Sequence, residues 1–230
     1  MGKSKPKIEP KTRFSPLKIA IFATIVVAIA ALVVTVVLTR RPIDLPASRP
    51  RTSALSFPLP RYSKGPADAS VTLVEFGDYQ CPTCAAFHPV VDTLLELHPE
   101  DLRIVFYHIP LVSVHPNAIH AAMAAEAAGE AGRFWEMHDL LLVNQAEWAR
   151  ENDPYPLFSE YAERLGIDVD QFRSAVKSDH IRAIIDADIR AAARLGVGST
   201  PTFFVNDKPI RQLPRSLRAF DNIIVTAIQG

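Results

Sequence analysis

The chain has 230 residues, 48% of them hydrophobic, which is ample for a packed domain. Its 25 basic and 25 acidic side chains balance overall but not locally: residues 1–51 carry ten basic and two acidic groups, which leaves residues 52–230 at a net charge of −8. That acidic excess argues against nucleic acid as a partner, because phosphates need a basic face, and two cysteines are too few for a disulfide-stapled scaffold.

Residues 1–17 read as a basic, cytoplasmic N-terminus. Ile19 to Leu38 follow without a single charge, inside a span placed at residues 18–39. Twenty helical residues reach roughly 30 Å, the thickness of the hydrocarbon layer. The length of the run and its ending in "VVLTRRP" favour a retained membrane anchor over a cleaved signal peptide, which has a shorter apolar core and a small-residue cleavage site. Lys3, Lys5, Lys7, Lys11, Arg13 and Lys18 outnumber the four arginines that follow the span. The positive-inside rule therefore sets the N-terminus in the cytoplasm and the bulk of the chain across the membrane. Residues 40–66 hold six prolines and read as a semi-extended tether.

From residue 67 onward the pattern is that of one folded domain. "SVTLVEFGDY" predicts a buried strand. "CPTCAAFHPVVDTLLELH" predicts a helix with Pro82 in its first turn and Pro89 as a kink. Arg103 to His108 predict a second strand, and strand–helix–strand order favours a parallel crossover. A helical block over about 115–196 comes next. It includes Asp168 as a cap with Gln171 three residues on, and a helix from Asp179 ended by Gly196. "TPTFFVNDKPIRQ" predicts strand, Asn-Asp turn and strand, and Pro214 opens a last helix. The expected fold is α/β with a mixed central sheet and an inserted helical subdomain.

Both cysteines, Cys81 and Cys84, lie in one C-x-x-C at a strand-to-helix junction. A bridge between them closes a very short loop and adds little stability through chain entropy, so reactivity is the stronger reading. First-turn amides and the helix dipole favour a thiolate on Cys81, and Cys84 lies almost one turn on, within reach as the resolving sulfur. Glu75, six positions earlier on an apolar strand, is a candidate proton carrier if buried. The Thr200-Pro201 step precedes an apolar strand and marks an edge or a special turn. A zinc site built on Cys81, Cys84 and His88 lacks a second pair of ligands, and the remaining histidines show no paired ligand spacing.

From Asp68 to Gly230 the chain resembles the DsbA-like branch of the thioredoxin superfamily, through "PADASVTLVEFGDYQCPTCAAFHP" and "LGVGSTPTFFVNDKPI". The resemblance implies a thioredoxin-like fold with a helical cap, Cys81 as nucleophile, Cys84 as resolving cysteine and Pro201 as a cis-proline facing the dithiol. It matches Glu75 to the family's buried acid and Pro89 to its helix-kinking proline. Thr200, Pro82 and Thr83 fall where substrate would be contacted. Thr83 stands where some strongly oxidising members carry histidine.

The expected function is thiol–disulfide exchange on secreted or cell-envelope proteins, most simply disulfide formation, with a quinone-linked membrane oxidase as recycling partner. No cofactor is expected beyond the redox-active dithiol. The competing expectations are a reductase or isomerase and, in another class, a tethered chaperone or metal-binding module.

Overall fold

A computed structural model describes residue 57 and residues 60–230. The expected anchor at Ile19–Leu38 and most of the expected tether lie outside the described residues. Among the described residues no helix is long and apolar enough to cross a membrane.

Five strands form one sheet in the order β1-β3-β2-β4-β5. They are β1 (Ser63–Lys64), β2 (Val71–Gly77), β3 (Leu102–His108), β4 (Thr202–Val205) and β5 (Lys208–Pro209). β2 and β3 pair in parallel and the remaining neighbours are antiparallel, so the sheet is mixed as expected. The parallel pair is joined by helix α1 (Pro82–Leu97). All seven residues of β2 are buried, which is why its sequence is a nearly continuous apolar run instead of an alternation.

The two faces of β2 nevertheless feed different cores. Val71 and Leu73 pack with Val91 and Leu94 of α1 and with Phe220 and Ile224 of the last helix, α8 (Leu217–Gln229). Val74 and Phe76 pack on the opposite face with Val105, Tyr107 and Phe204. Between β3 and β4 run α2 (Ala118–Glu130), α3 (Phe134–Val143), α4 (Gln145–Trp148), α5 (Tyr155–Arg164), α6 (Val169–Ala175) and α7 (Asp179–Arg194). This is the expected helical block. Its alanine-rich helix α2 is buried at Ala121, Ala122, Ala124, Ala125, Ala127 and Ala128, because small side chains let neighbouring helices approach from several sides. The Asp168 cap forms as read, accepting from the Gln171 amide at 2.8 Å.

Two expectations are corrected. The tether gives way to the fold before residue 66. Ser63 and Lys64 pair antiparallel with β3, the Phe57 ring packs on Phe76, Tyr107 and Phe204, and Tyr62 stacks on Phe134 at 4.1 Å. Proline forbids a central strand but permits this two-residue edge strand beside it. The last helix opens at Leu217 and not at Pro214, because the Ser216 hydroxyl caps it by accepting from the Ala219 amide.

Candidate active site

The site is built where β2 ends and α1 begins. Gly77 closes the strand, and a Cβ there would lie 2.4 Å from the Phe106 ring, so only glycine lets that ring approach. Cys81 is the N-cap of α1 with extended backbone (φ −74°, ψ 121°), and Pro82 occupies the first helical turn, where its missing N–H costs no hydrogen bond. Cys84, His88, Val91 and Leu94 form the buried face of α1. Pro82 and Thr83 stand exposed between the two buried sulfurs.

The Cys81 thiol lies 3.4 Å from the carbonyl oxygen of Thr200, the residue before Pro201. The Thr200-Pro201 peptide is cis, and Pro201 is buried. The structure thus brings together the sequence-predicted Cys81, Cys84, Thr200 and Pro201, although 119 positions separate Cys81 from Thr200. The Cys81 thiol is lowered from an ordinary 9.0 to about 5. A hydrogen bond from the Cys84 thiol is the main cause, and burial opposes it. The Thr200 side chain and the backbone amides of Cys84 and Thr83 add to it. Cys84 moves the other way, well above the ordinary thiol range, through its hydrogen bond to Cys81, burial and the nearby Glu75 charge. Two sulfurs in one motif are therefore driven apart in acidity, as a nucleophile and a resolving thiol require.

Glu75 is fully enclosed, on the face of β2 that looks toward α1 and in register with Phe106 on one neighbouring strand and Phe203 on the other. Burial first, and the Cys81 charge second, push its carboxyl from 4.5 up to about 8. A carboxyl that exchanges its proton near neutral pH can serve a thiol whose own acidity has been suppressed.

Sequence reading missed a second set of residues that shape this loop. The Asp78 carboxylate accepts from the Gln80 amide (2.8 Å), the Leu111 amide (2.9 Å) and His115 Nδ1 (2.7 Å), while the Asp78 amide points at Cys84 Sγ (3.5 Å). Gln145 Nε2 donates to the carbonyls of Tyr79 and Cys81 at 2.6 and 3.0 Å. Gln80 donates to the Ala149 carbonyl and accepts from the Asn117 amide, both at 2.6 Å. Asp78 did carry a signal, a charged residue directly after an apolar strand and three positions before a cysteine. Gln145 and Asn117 carried none, since their partners are 31 to 66 residues distant.

A family model described as thioredoxin matches residues 60–224. The chain belongs to the thioredoxin family. Solved structures narrow the fold further. BdbD from Bacillus subtilis superposes with a TM-score of 0.65 at 24% identity, over 73% of this chain and 92% of that one. The α-DsbA1 protein of Wolbachia pipientis gives 0.66 at 21%, over 76% and 94%. MdbA, described as a thiol-disulfide oxidoreductase from Corynebacterium diphtheriae, gives 0.57 at 19%, over 71% and 85%. The DsbA-like fold implied by the two sequence motifs is the fold observed.

Curated relatives include the Na(+)/H(+) antiporter NhaA 1 of Salinispora arenicola, 46% identical over 145 residues, 63% of this chain and 21% of the antiporter. NhaA of Herminiimonas arsenicoxydans is 34% identical over 165 residues, 72% of this chain and 24% of the antiporter. The matched part thus spans only about a fifth to a quarter of those relatives, and it is the thioredoxin-like region.

Proposed function

We propose that the chain is a membrane-anchored thiol–disulfide oxidoreductase that forms disulfides in secreted or cell-envelope proteins. The observation that carries this reading is the opposed acidity of Cys81 and Cys84 at the tip of α1. A stabilised thiolate on Cys81 favours the reduced enzyme, and favouring the reduced enzyme makes its disulfide an oxidant. The uncharged Ile19–Leu38 segment supports the anchor. The occurrence of a related segment in chains named as sodium–proton antiporters agrees with a place at a membrane.

In the cycle, a substrate thiolate attacks Cys81 Sγ of the Cys81–Cys84 disulfide. The S–S bond breaks, its electron pair leaves on Cys84, and the protonated Glu75 carboxyl supplies the proton that the resolving sulfur requires. A second substrate thiolate then attacks the substrate sulfur of the mixed disulfide. Cys81 leaves as a thiolate, which its low pKa favours. The substrate has lost two electrons and its two thiol protons, and the enzyme has gained two electrons. Thr200 and the cis-proline lie beside Cys81, where an extended substrate segment would be held, and the exposed Pro82 and Thr83 are the first residues it meets. Re-oxidation by a quinone-linked membrane oxidase returns the disulfide.

The reduction potential tests the direction. A value near about −120 mV fits a disulfide-forming enzyme, and one near about −270 mV overturns it in favour of a reductase. Cys81→Ser tests the nucleophile, because the variant must lose all oxidation of a reduced model substrate.

A further inference from the structure

The fold assembles a cluster that no spacing in the sequence reveals. Among the described residues, His88, His138 and Asp139 bring one donor atom each to within 4.8 Å of one another. His88 lies one turn beyond Cys84 on the buried face of α1, and His138 and Asp139 come from α3. His88 Nε2 is 3.6 Å from Asp139 Oδ1 and 3.5 Å from Asp92 Oδ2. Those distances exceed a good N–H···O hydrogen bond, about 2.7–3.2 Å. They suit neighbouring ligands of a tetrahedral metal, whose edges are roughly 3.3–3.5 Å when each donor lies about 2.0–2.1 Å from the ion.

Three further observations agree. Asp139 Oδ1 is enclosed and has no hydrogen-bond partner. Lys64 binds the outer oxygens of the same carboxylates, Asp92 Oδ1 at 2.9 Å and Asp139 Oδ2 at 3.8 Å, and leaves the two oxygens that face His88 to something else. His138 Nδ1 is engaged by the Tyr79 hydroxyl at 3.0 Å, so Nε2 is its free ring nitrogen. A partner on the far nitrogen is the usual way a ligating imidazole is oriented.

We propose that His88, His138 and Asp139 bind one divalent transition metal of the zinc type and so tie α1 to α3 beside the dithiol. Two imidazoles and a carboxylate suit Zn²⁺ or Co²⁺ better than Ca²⁺ or Mg²⁺, which take oxygen ligands. The site is separate from the chemistry of the cysteines and does not depend on it.

The test uses the full chain in its disulfide form, so that neither sulfur can ligate. Titration with Co²⁺ is expected to show one equivalent bound, with the absorption of a nitrogen- and oxygen-ligated ion and no thiolate-to-cobalt band, and Zn²⁺ should displace it. The unfolding midpoint of this form should rise with Zn²⁺. His88→Gln and Asp139→Asn should each abolish both effects. Asp139 is half-exposed, so its variant should keep the fold and the metal-free melting behaviour of the parent. Absence of metal binding to the disulfide form overturns the site. So does binding that survives unchanged in the His88→Gln/Asp139→Asn double variant, or binding seen only when the thiols are reduced.

Discussion

On the sheet side of the dithiol, Glu75 is held among Phe106 and Phe203 and makes its effect through what surrounds it, an absence of water. On the side of the helical block, Gln145 and Asn117 make theirs through hydrogen bonds to the backbone that leads into Cys81 and to its supports. The first region tunes proton affinity and the second fixes where the chain runs. Asp78 joins the two, since it ends β2, anchors the loop at Leu111 and His115, and directs its own amide at Cys84. The comparison predicts that damage on the sheet side changes pH dependence with the fold intact, whereas damage on the loop side costs stability first.

The largest effect should come at the junction. Asp78→Ala leaves the buried amide of Gln80 and the half-buried amide of Leu111 without acceptors and removes the partner of His115. Buried unsatisfied groups cost about 1–3 kcal/mol each, so a loss of about 3 kcal/mol or more is expected. For a domain of this size that corresponds to a fall of about 6–12 °C in melting midpoint, measured by thermal unfolding. A shift within a degree or two of the parent would mean that the loop is held by other contacts and that Asp78 joins nothing.

Glu75→Gln should separate the two regions most cleanly. In the reduced protein the Glu75 carboxyl has a folded value of about 8 against an ordinary 4.5. Below 4.5 it is protonated in both states and carries no penalty. As pH rises toward 8 the unfolded chain releases a proton that the folded chain retains, so stability falls through that window. Glutamine has no such proton, and the variant should be more stable than the parent at pH 8–9, by on the order of a few kcal/mol, and should lack this fall in stability with rising pH. Its exchange rate near neutrality should drop at least about tenfold through loss of the proton carrier. Chemical denaturation at pH 5 and pH 9, paired with a substrate oxidation assay, reads both. Equal slopes in variant and parent would remove Glu75 from the proton account.

These contrasts also mark what the sequence could disclose. β2, α1 and the Asp168 cap were legible because their patterns are local: an apolar run, a proline-opened helix, an acid three residues before its amide. Glu75 was legible as a candidate but its direction was not, because every residue of β2 is buried and alternation fails on a strand covered on both faces. The cis-proline came from resemblance and not from spacing, since an X-Pro step alone does not disclose its isomer. The edge strand at Ser63–Lys64 was hidden because two residues carry no period and six nearby prolines argued for a tether. Gln145 and Asn117 were hidden for a deeper reason. Their partners are backbone groups on distant segments, and a polar side chain reaching a carbonyl leaves no mark on the residue it reaches.

Gln145→Leu tests that hidden half. It strips the carbonyls of Tyr79 and Cys81 of a donor without touching either sulfur. The cost should be about 1–2 kcal/mol, smaller than at Asp78 because carbonyls at this half-buried position can recruit water. Exchange should slow as the first turn of α1 loosens around Cys81. Unfolding measured beside the rate of alkylation of Cys81 would detect both, and an unchanged alkylation rate would confine Gln145 to a purely structural part.

The smallest effect is the sharpest probe of the thiolate itself. Thr200→Val keeps the shape of the side chain and removes only its buried hydroxyl. That hydroxyl ranks behind the Cys84 thiol among the groups that lower Cys81, so its removal should raise the thiol only modestly from about 5. The sign follows from the charge, because a donor beside a thiolate favours the ionised form and its loss favours the neutral one. The folded pKa of Cys81 lies below the ordinary 9.0, so the stability it lends the reduced protein is present above that value and is lost as pH falls toward 5. In the variant this loss should be complete at slightly higher pH, and the ultraviolet absorbance of the thiolate should titrate there as well. A lowered pKa in this variant would show that the Thr200 hydroxyl turns toward something other than the sulfur.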